Sequence, residues 1–115
     1  GATAAITQFF FNNHFYYDFL NKCQQMSINI PIIPGILPIN NFSRVSKFSE
    51  KCGTSVPDSI LSKFQKIKDG ASHHDLSLEI LTTQVDGLIS HNINRFHFYT
   101  LNQSSLMLDL FKIIK

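Results

Sequence analysis

The chain holds 115 residues, of which 43% are hydrophobic and 16% charged, with a formal net charge of +2. That length supports one domain, and the balance is that of a globular chain, not a disordered one. The 8 lysines and 2 arginines are well separated, which leaves neither a basic footprint for nucleic acid nor a polybasic patch for a membrane. The longest apolar-leaning run, Ile28 to Ile39, is interrupted by Pro31, Pro34, Gly35 and Pro38 and is too short to span a bilayer. No charged n-region precedes an apolar h-region, so a cytoplasmic protein is expected. Cys23 and Cys52 form no CxxC and fit two reduced thiols. The frequent Ile and Asn read as a bias of the source genome. The chain opens at Gly1 without a methionine and enters an apolar strand almost at once, so a piece of something longer is expected.

Ala4 to Phe11 (AAITQFFF) is a short apolar run closed by Asn12-Asn13, the pattern of a strand buried on both faces. His14 to Met26 follows as an amphipathic helix with Phe15, Phe19, Cys23 and Met26 on its stripe and Asn12 or Asn13 as N-cap. Ile32 and Ile33 supply a second strand, which Pro34 and Gly35 are expected to stop. Phe42, Val45, Phe48 and Cys52 mark a second helix, with Gly53 at its C′ position. Pro57 at N1 opens a third, over Ile60, Leu61, Phe64 and Ile67, which Asp69-Gly70 breaks. A fourth runs from about Asp75 to Ser90 over Leu76, Ile80, Leu81, Val85, Leu88 and Ile89. Phe96 to Leu101 reads as a third strand and Ser104 to Ile114 as a last helix.

Buried strands alternating with helices imply parallel pairing through right-handed crossovers. A parallel sheet of three leaves two apolar edges unpaired, whereas a (β/α)8 TIM barrel needs about 250 residues. The preferred reading is therefore the last three strand–helix units of such an α/β barrel, residues 1–115 being its C-terminal part. An independent small α/β domain is the alternative.

In a parallel barrel the site lies at the C-terminal ends of the strands. Gln8 is the most informative residue there. An amide on the helix-packed face would be left unpaired at a cost of a few kcal/mol, so Gln8 is expected to face the interior with Ile6 and Phe10. There it suits a heterocycle carrying an amide edge; a Gln satisfied by its neighbours is the plainer reading. His73 and His74 are adjacent and do not converge on a metal, so a solvated cap region is expected. His97 reads as a hydrogen-bonded core histidine, and Asp58, Asp69 and Asp75 as helix caps. No phosphate loop, nucleophile elbow or paired carboxylates are present, so no catalytic residue is assigned.

Four segments together resemble one family. AITQFFF (Ala5 to Phe11), PIIPGILPI with Asn41-Phe42, the Cys52-Gly53…Val56-Pro57 join, and FHFYTLN (Phe96 to Asn102) are similar, in order and spacing, to methylenetetrahydrofolate reductase. The resemblance implies a FAD-dependent barrel that reduces methylenetetrahydrofolate with NAD(P)H, both substrates using one site in turn. It implies a homo-oligomer at full length, an ending similar to that of bacterial members, and flavin-binding residues and a catalytic glutamate upstream of Gly1. Gln8 matches the family's glutamine that hydrogen-bonds the pterin and touches the nicotinamide. Phe48 matches a phenylalanine that stacks on substrate, with a plain core role standing beside it. Tyr99 and Asn102 are given structural roles. Arg44 stands where bacterial members have glutamine and Gln103 where they have arginine, both at substrate-contacting positions. The exchange reads as one cation and one amide trading places; drift is the alternative, and Ser27 in place of a helix-ending glycine fits drift as well. The family resemblance thus gives a substrate-binding set of Gln8, Arg44, Phe48 and Gln103. A non-catalytic remnant or split subunit that binds folate or a partner chain is the competing function. The isolated chain is expected to show no turnover.

Overall fold

The computed structural model describes residues 3–99 and 105–114. The elements run β1 (Ala5–Phe9), α1 (Asn13–Gln25), β2 (Ile32–Ile36), α2 (Phe42–Lys51), α3 (Asp58–Gln65), α4 (Gly70–Ser90), β3 (His97–Phe98) and α5 (Ser105–Ile114). The three strands form one parallel sheet in the order β1-β2-β3. Among the described residues β1 and β3 are therefore edge strands, as a three-stranded parallel reading requires.

Proline does not stop β2. The strand continues through Pro34 and Gly35 to Ile36, because the neighbouring strand makes room for the missing donor. Ile6 pairs with Ile33 and Phe9 with Gly35, so Thr7 and Gln8 together face the single residue Pro34. That two-against-one count is a β-bulge, a place where a sheet tolerates proline. The Gly35 N–H donates to the Thr7 hydroxyl at 2.9 Å, so a side chain substitutes for a rung of the ladder. Gly35 is required by space: a Cβ there would lie 2.5 Å from the Thr7 carbonyl oxygen and 2.6 Å from Tyr99 Cε2.

One face of the sheet is covered by α1, α4 and α5. Phe10, Tyr16, Ile36, Leu81, Val85, Leu88, Leu106, Met107 and Leu110 form its core. The buried Gln84 amide donates to the Phe10 carbonyl at 2.8 Å and Asn13 Nδ2 donates to the Gln84 carbonyl at 3.0 Å, tying α4 to the β1–α1 turn. A second cluster, Phe9, Leu37, Ile39, Val45, Ile60 and Phe64, gathers α2 and α3 over the C-terminal ends of β1 and β2.

Several expectations are corrected here. The buried residues of α1 are Tyr16 and Cys23, while Phe15, Phe19 and Met26 are 74%, 45% and 72% exposed. Aromatic residues at 15, 16, 17 and 19 supply two competing stripes, and the sheet takes the one through Tyr16, whose hydroxyl donates to the Ile32 carbonyl. β1 ends at Phe9 and is not buried on both faces: Ile6 and Gln8 are exposed. Phe10 does not share their face, since the bulge breaks the alternation and turns it into the helical core. Helix α4 begins at Gly70, not near Asp75, because the Asp69 carboxylate caps it by accepting from the Ser72 N–H. Asp75 is consequently an exposed residue inside α4, and Ile89, expected in the core, is 43% exposed. Pro57 occupies the N-cap position of α3, one residue before N1, with Asp58 in its first turn. Expectations for residues 100–104 lie outside the described residues.

Asn12 and Asn41 cap α1 and α2 as their sequence positions suggest. Three helices end the same way. Ser27, Gly53 and Asn92 take positive φ of 58°, 72° and 65°. In each case the next residue's N–H reaches back to a carbonyl of the last turn: Ile28 to Cys23, Thr54 to Ser49, Ile93 to Leu88. These are Schellman motifs, which prefer glycine at the left-handed position; Ser27 holds it without that freedom.

Candidate functional site

A groove of about 660 Å³ runs along the free edge of β1, lined by Ile6, Gln8, Phe15, Phe19, Thr54 and Pro57 among others. It is mainly apolar, with Thr7 and Gln8 as the polar residues supplied by the strand. The Gln8 side chain crosses from the bulge to the end of α2, where Nε2 donates to the Cys52 carbonyl at 2.9 Å and to the Thr54 hydroxyl at 2.8 Å. The bulge places Gln8 here, and the Schellman motif at Gly53 places its two acceptors. Gln8 is thus held by its neighbours, the plainer of the two readings its sequence position allowed, and is also exposed to the groove.

Phe48 lies next to this point. It is half-buried and stacked on Phe9, ring centroids 5.5 Å apart and planes 20° from parallel. Phe9 also meets Tyr99 edge-to-face at 6.1 Å. Arg44 sits one helical turn before Phe48, exposed, with its backbone N–H donating to the Asn41 side chain; residues four apart share a helix face. The fold therefore gathers Gln8 and Phe48 at the C-terminal end of β1, with Arg44 on the same side of α2. Gln103 and Asn102 lie outside the described residues.

The histidines diverge, each with its own partner. His73 Nε2 accepts from the Phe42 N–H at 3.1 Å, which puts its ring proton on Nδ1, and the ring packs on Phe64. His74 Nε2 pairs with the Asp109 carboxylate at 2.8 Å. Both join helices, so the expected solvated cap is corrected to a structural one. His97 is half-buried and edge-to-face with Tyr99 at 4.6 Å; no hydrogen bond to its ring is found among the described residues.

A flavin dinucleotide needs backbone amides or cations for its diphosphate. The helix N-termini of α1, α2 and α4 do not offer them: Asn12 accepts from the His14 N–H, Asn41 from the Arg44 N–H, His73 from the Phe42 N–H and Asp69 from the Ser72 N–H. The amides a phosphate would use are taken by side chains, one of them a carboxylate. These residues do not fit a flavin diphosphate.

Sequence reasoning missed Thr54. The signal available was Gly53 at C′, since a Schellman motif fixes the residue that follows it; what Thr54 would touch was not legible.

Compared with known proteins, residues 1–115 match the family described as Methylenetetrahydrofolate reductase. A 5,10-methylenetetrahydrofolate reductase of Buchnera aphidicola subsp. Schizaphis graminum is 40% identical over 111 residues, 96% of this chain and 38% of that protein. The Escherichia coli K12 protein of the same name is 36% identical over 107 residues, covering 92% of this chain and 36% of its own length. An Arabidopsis thaliana protein, Methylenetetrahydrofolate reductase (NADH) 1, is 32% identical over 103 residues, 89% of this chain and 17% of its own. The chain spans less than two-fifths of these relatives. Matched along its whole length, it belongs to the methylenetetrahydrofolate reductase family.

Proposed function

We propose that this chain is the substrate-side wall of a flavin-dependent oxidoreductase that reduces methylenetetrahydrofolate to methyltetrahydrofolate with NAD(P)H. The observation that carries this reading is Gln8 of the ITQFFF run, held at the end of β1 beside the Phe9–Phe48 stack and open to an apolar groove. An amide next to stacked rings is the equipment for a flat heterocycle with an amide edge. Arg44 adds a guanidinium on the same side of α2, suited to a carboxylate of the glutamyl tail. Gln103 is proposed as the amide that trades places with it.

The flavin and the proton donor belong, in this reading, to residues of a (β/α)8 barrel outside these 115. The whole protein is proposed to be cytoplasmic and homo-oligomeric; no described helix is long and apolar enough to cross a membrane. A second reading is folate or partner binding without turnover.

Grafting residues 1–115 onto the Escherichia coli relative, in place of its matching segment, tests the proposal. The chimera is expected to hold flavin and reduce methylenetetrahydrofolate, and Gln8→Ala within it to lower kcat/KM by about tenfold or more, as loss of one well-placed hydrogen bond does. A chimera that holds flavin without turning over folate overturns the proposal in favour of the second reading. The chain alone is expected to lose FAD on desalting; a retained visible flavin band contradicts placing the flavin site elsewhere.

A further inference from the structure

Gln8 is held in one orientation, and that orientation decides what its ligand must offer. A glutamine amide has two N–H donors and a carbonyl acceptor. Both donors face acceptors here, the Cys52 carbonyl at 2.9 Å and the Thr54 hydroxyl at 2.8 Å. The Cys52 carbonyl fixes the assignment, because turning the amide over would set oxygen against oxygen. No described residue donates to Gln8 Oε1. The acceptors are themselves rigid: Gly53 at φ 72° lets its own N–H return to Glu50 and the Thr54 N–H to Ser49. This leaves the Cys52 carbonyl, free at the helix end, beside the Thr54 hydroxyl.

We infer that Thr54 is a positioning residue for substrate specificity: with Cys52 it consumes both donors of Gln8, so the side chain meets its ligand as an acceptor and selects substrates that present an N–H. The inference rests on the proposed function, and deepens it. A reduced nicotinamide presents a carboxamide N–H and a pterin presents lactam and amino N–H groups, so one fixed acceptor serves two substrates in turn. Thr54 touches neither of them and acts through Gln8.

The test compares two dinucleotides that differ at this group alone, NADH and reduced 3-acetylpyridine adenine dinucleotide, whose methyl ketone has no N–H. Equilibrium affinities are measured with the flavin already reduced, so that no hydride is transferred, for the chimera described above and for its Thr54→Val and Thr54→Ser variants. The parent is expected to prefer NADH by about tenfold, the worth of one hydrogen bond. Thr54→Val frees one N–H to donate to the ketone while the Cys52 carbonyl still holds the other, so the preference falls toward unity. Thr54→Ser restores the hydroxyl and the preference. In parallel, one of the two Gln8 side-chain amide proton resonances shifts upfield in Thr54→Val and returns in Thr54→Ser, a readout independent of any ligand. A preference and resonances that Thr54→Val leaves unchanged overturn the positioning role while the proposed function stands. A flavin-loaded parent that binds neither dinucleotide overturns the proposed function, and the N–H selection with it.

Discussion

On the face of the sheet covered by α1, α4 and α5, Ile36, Val85, Leu88 and Leu110 are all completely buried. Along the free edge of β1, by contrast, Ile6, Phe15 and Phe19 are 50%, 74% and 45% exposed, and they border the groove into which Gln8 opens. The first region is finished by the chain's own residues; the second presents apolar surface that the described residues leave uncovered. The difference separates two jobs. Burial on the helical side holds the strands in register, while the open side keeps the polar and aromatic groups of the proposed binding wall within reach of a ligand.

The sharpest way to break that contrast is to hollow out the finished side. Leu88→Ala removes a fully buried side chain and is expected to cost about 2–5 kcal/mol, the transfer loss plus a cavity. Phe15→Ser, on the open side, is expected to stay within about 0.5 kcal/mol. Urea unfolding of both variants decides it, and equal losses would mean that Phe15 is as much a part of the core as Leu88. A smaller loss is expected where the two sides meet. Gly35→Ala forces a methyl against the Thr7 carbonyl and the Tyr99 ring, an overpacking that costs about 1–3 kcal/mol; an unchanged midpoint would mean that the sheet yields there freely.

The smallest effect is a pH dependence at the head of α4. The Asp69 carboxyl is held below its ordinary value, first by the Ser72 backbone N–H and then by the Ser72 hydroxyl. A depressed folded-state pKa contributes stability that is present above the unfolded value and lost as pH falls through the folded one. Acid below the usual aspartate range should therefore loosen the start of α4. Asp69→Asn, which still caps, should flatten that part of the pH profile; midpoints that fall equally in both proteins would assign the acid loss to other groups.

Element order was legible in the sequence because each helix carries its own punctuation: Asn12 and Asn41 as caps, Gly53 as a stop. Pro34 misled, since proline usually ends a strand and the bulge that accommodates it belongs to the partner strand. Phe15 misled for a different reason. With aromatic residues at four of five neighbouring positions, periodicity alone could not choose between the Phe15 and Tyr16 faces, and the choice was made by contact with Ile32. Gln8 stood out as the one amide in an apolar run, yet its partners are 44 and 46 residues away. No local pattern reports a contact made across that distance. Arg44 drew attention only through the family resemblance; the fold adds that it is exposed on the side of α2 that carries Phe48.

The Tyr99 hydroxyl donates to the Thr7 carbonyl at 2.9 Å, with its ring lying over Gly35 of the strand between them. This contact joins the end of the β3 segment to β1 across the middle of the sheet, on the face away from the three helices. Flattening the sheet would pull those two points apart, so the tie acts as a chord across an arc and resists flattening. A tie of this kind helps a section of sheet to hold a bend, here through a tyrosine laid over a residue with no side chain.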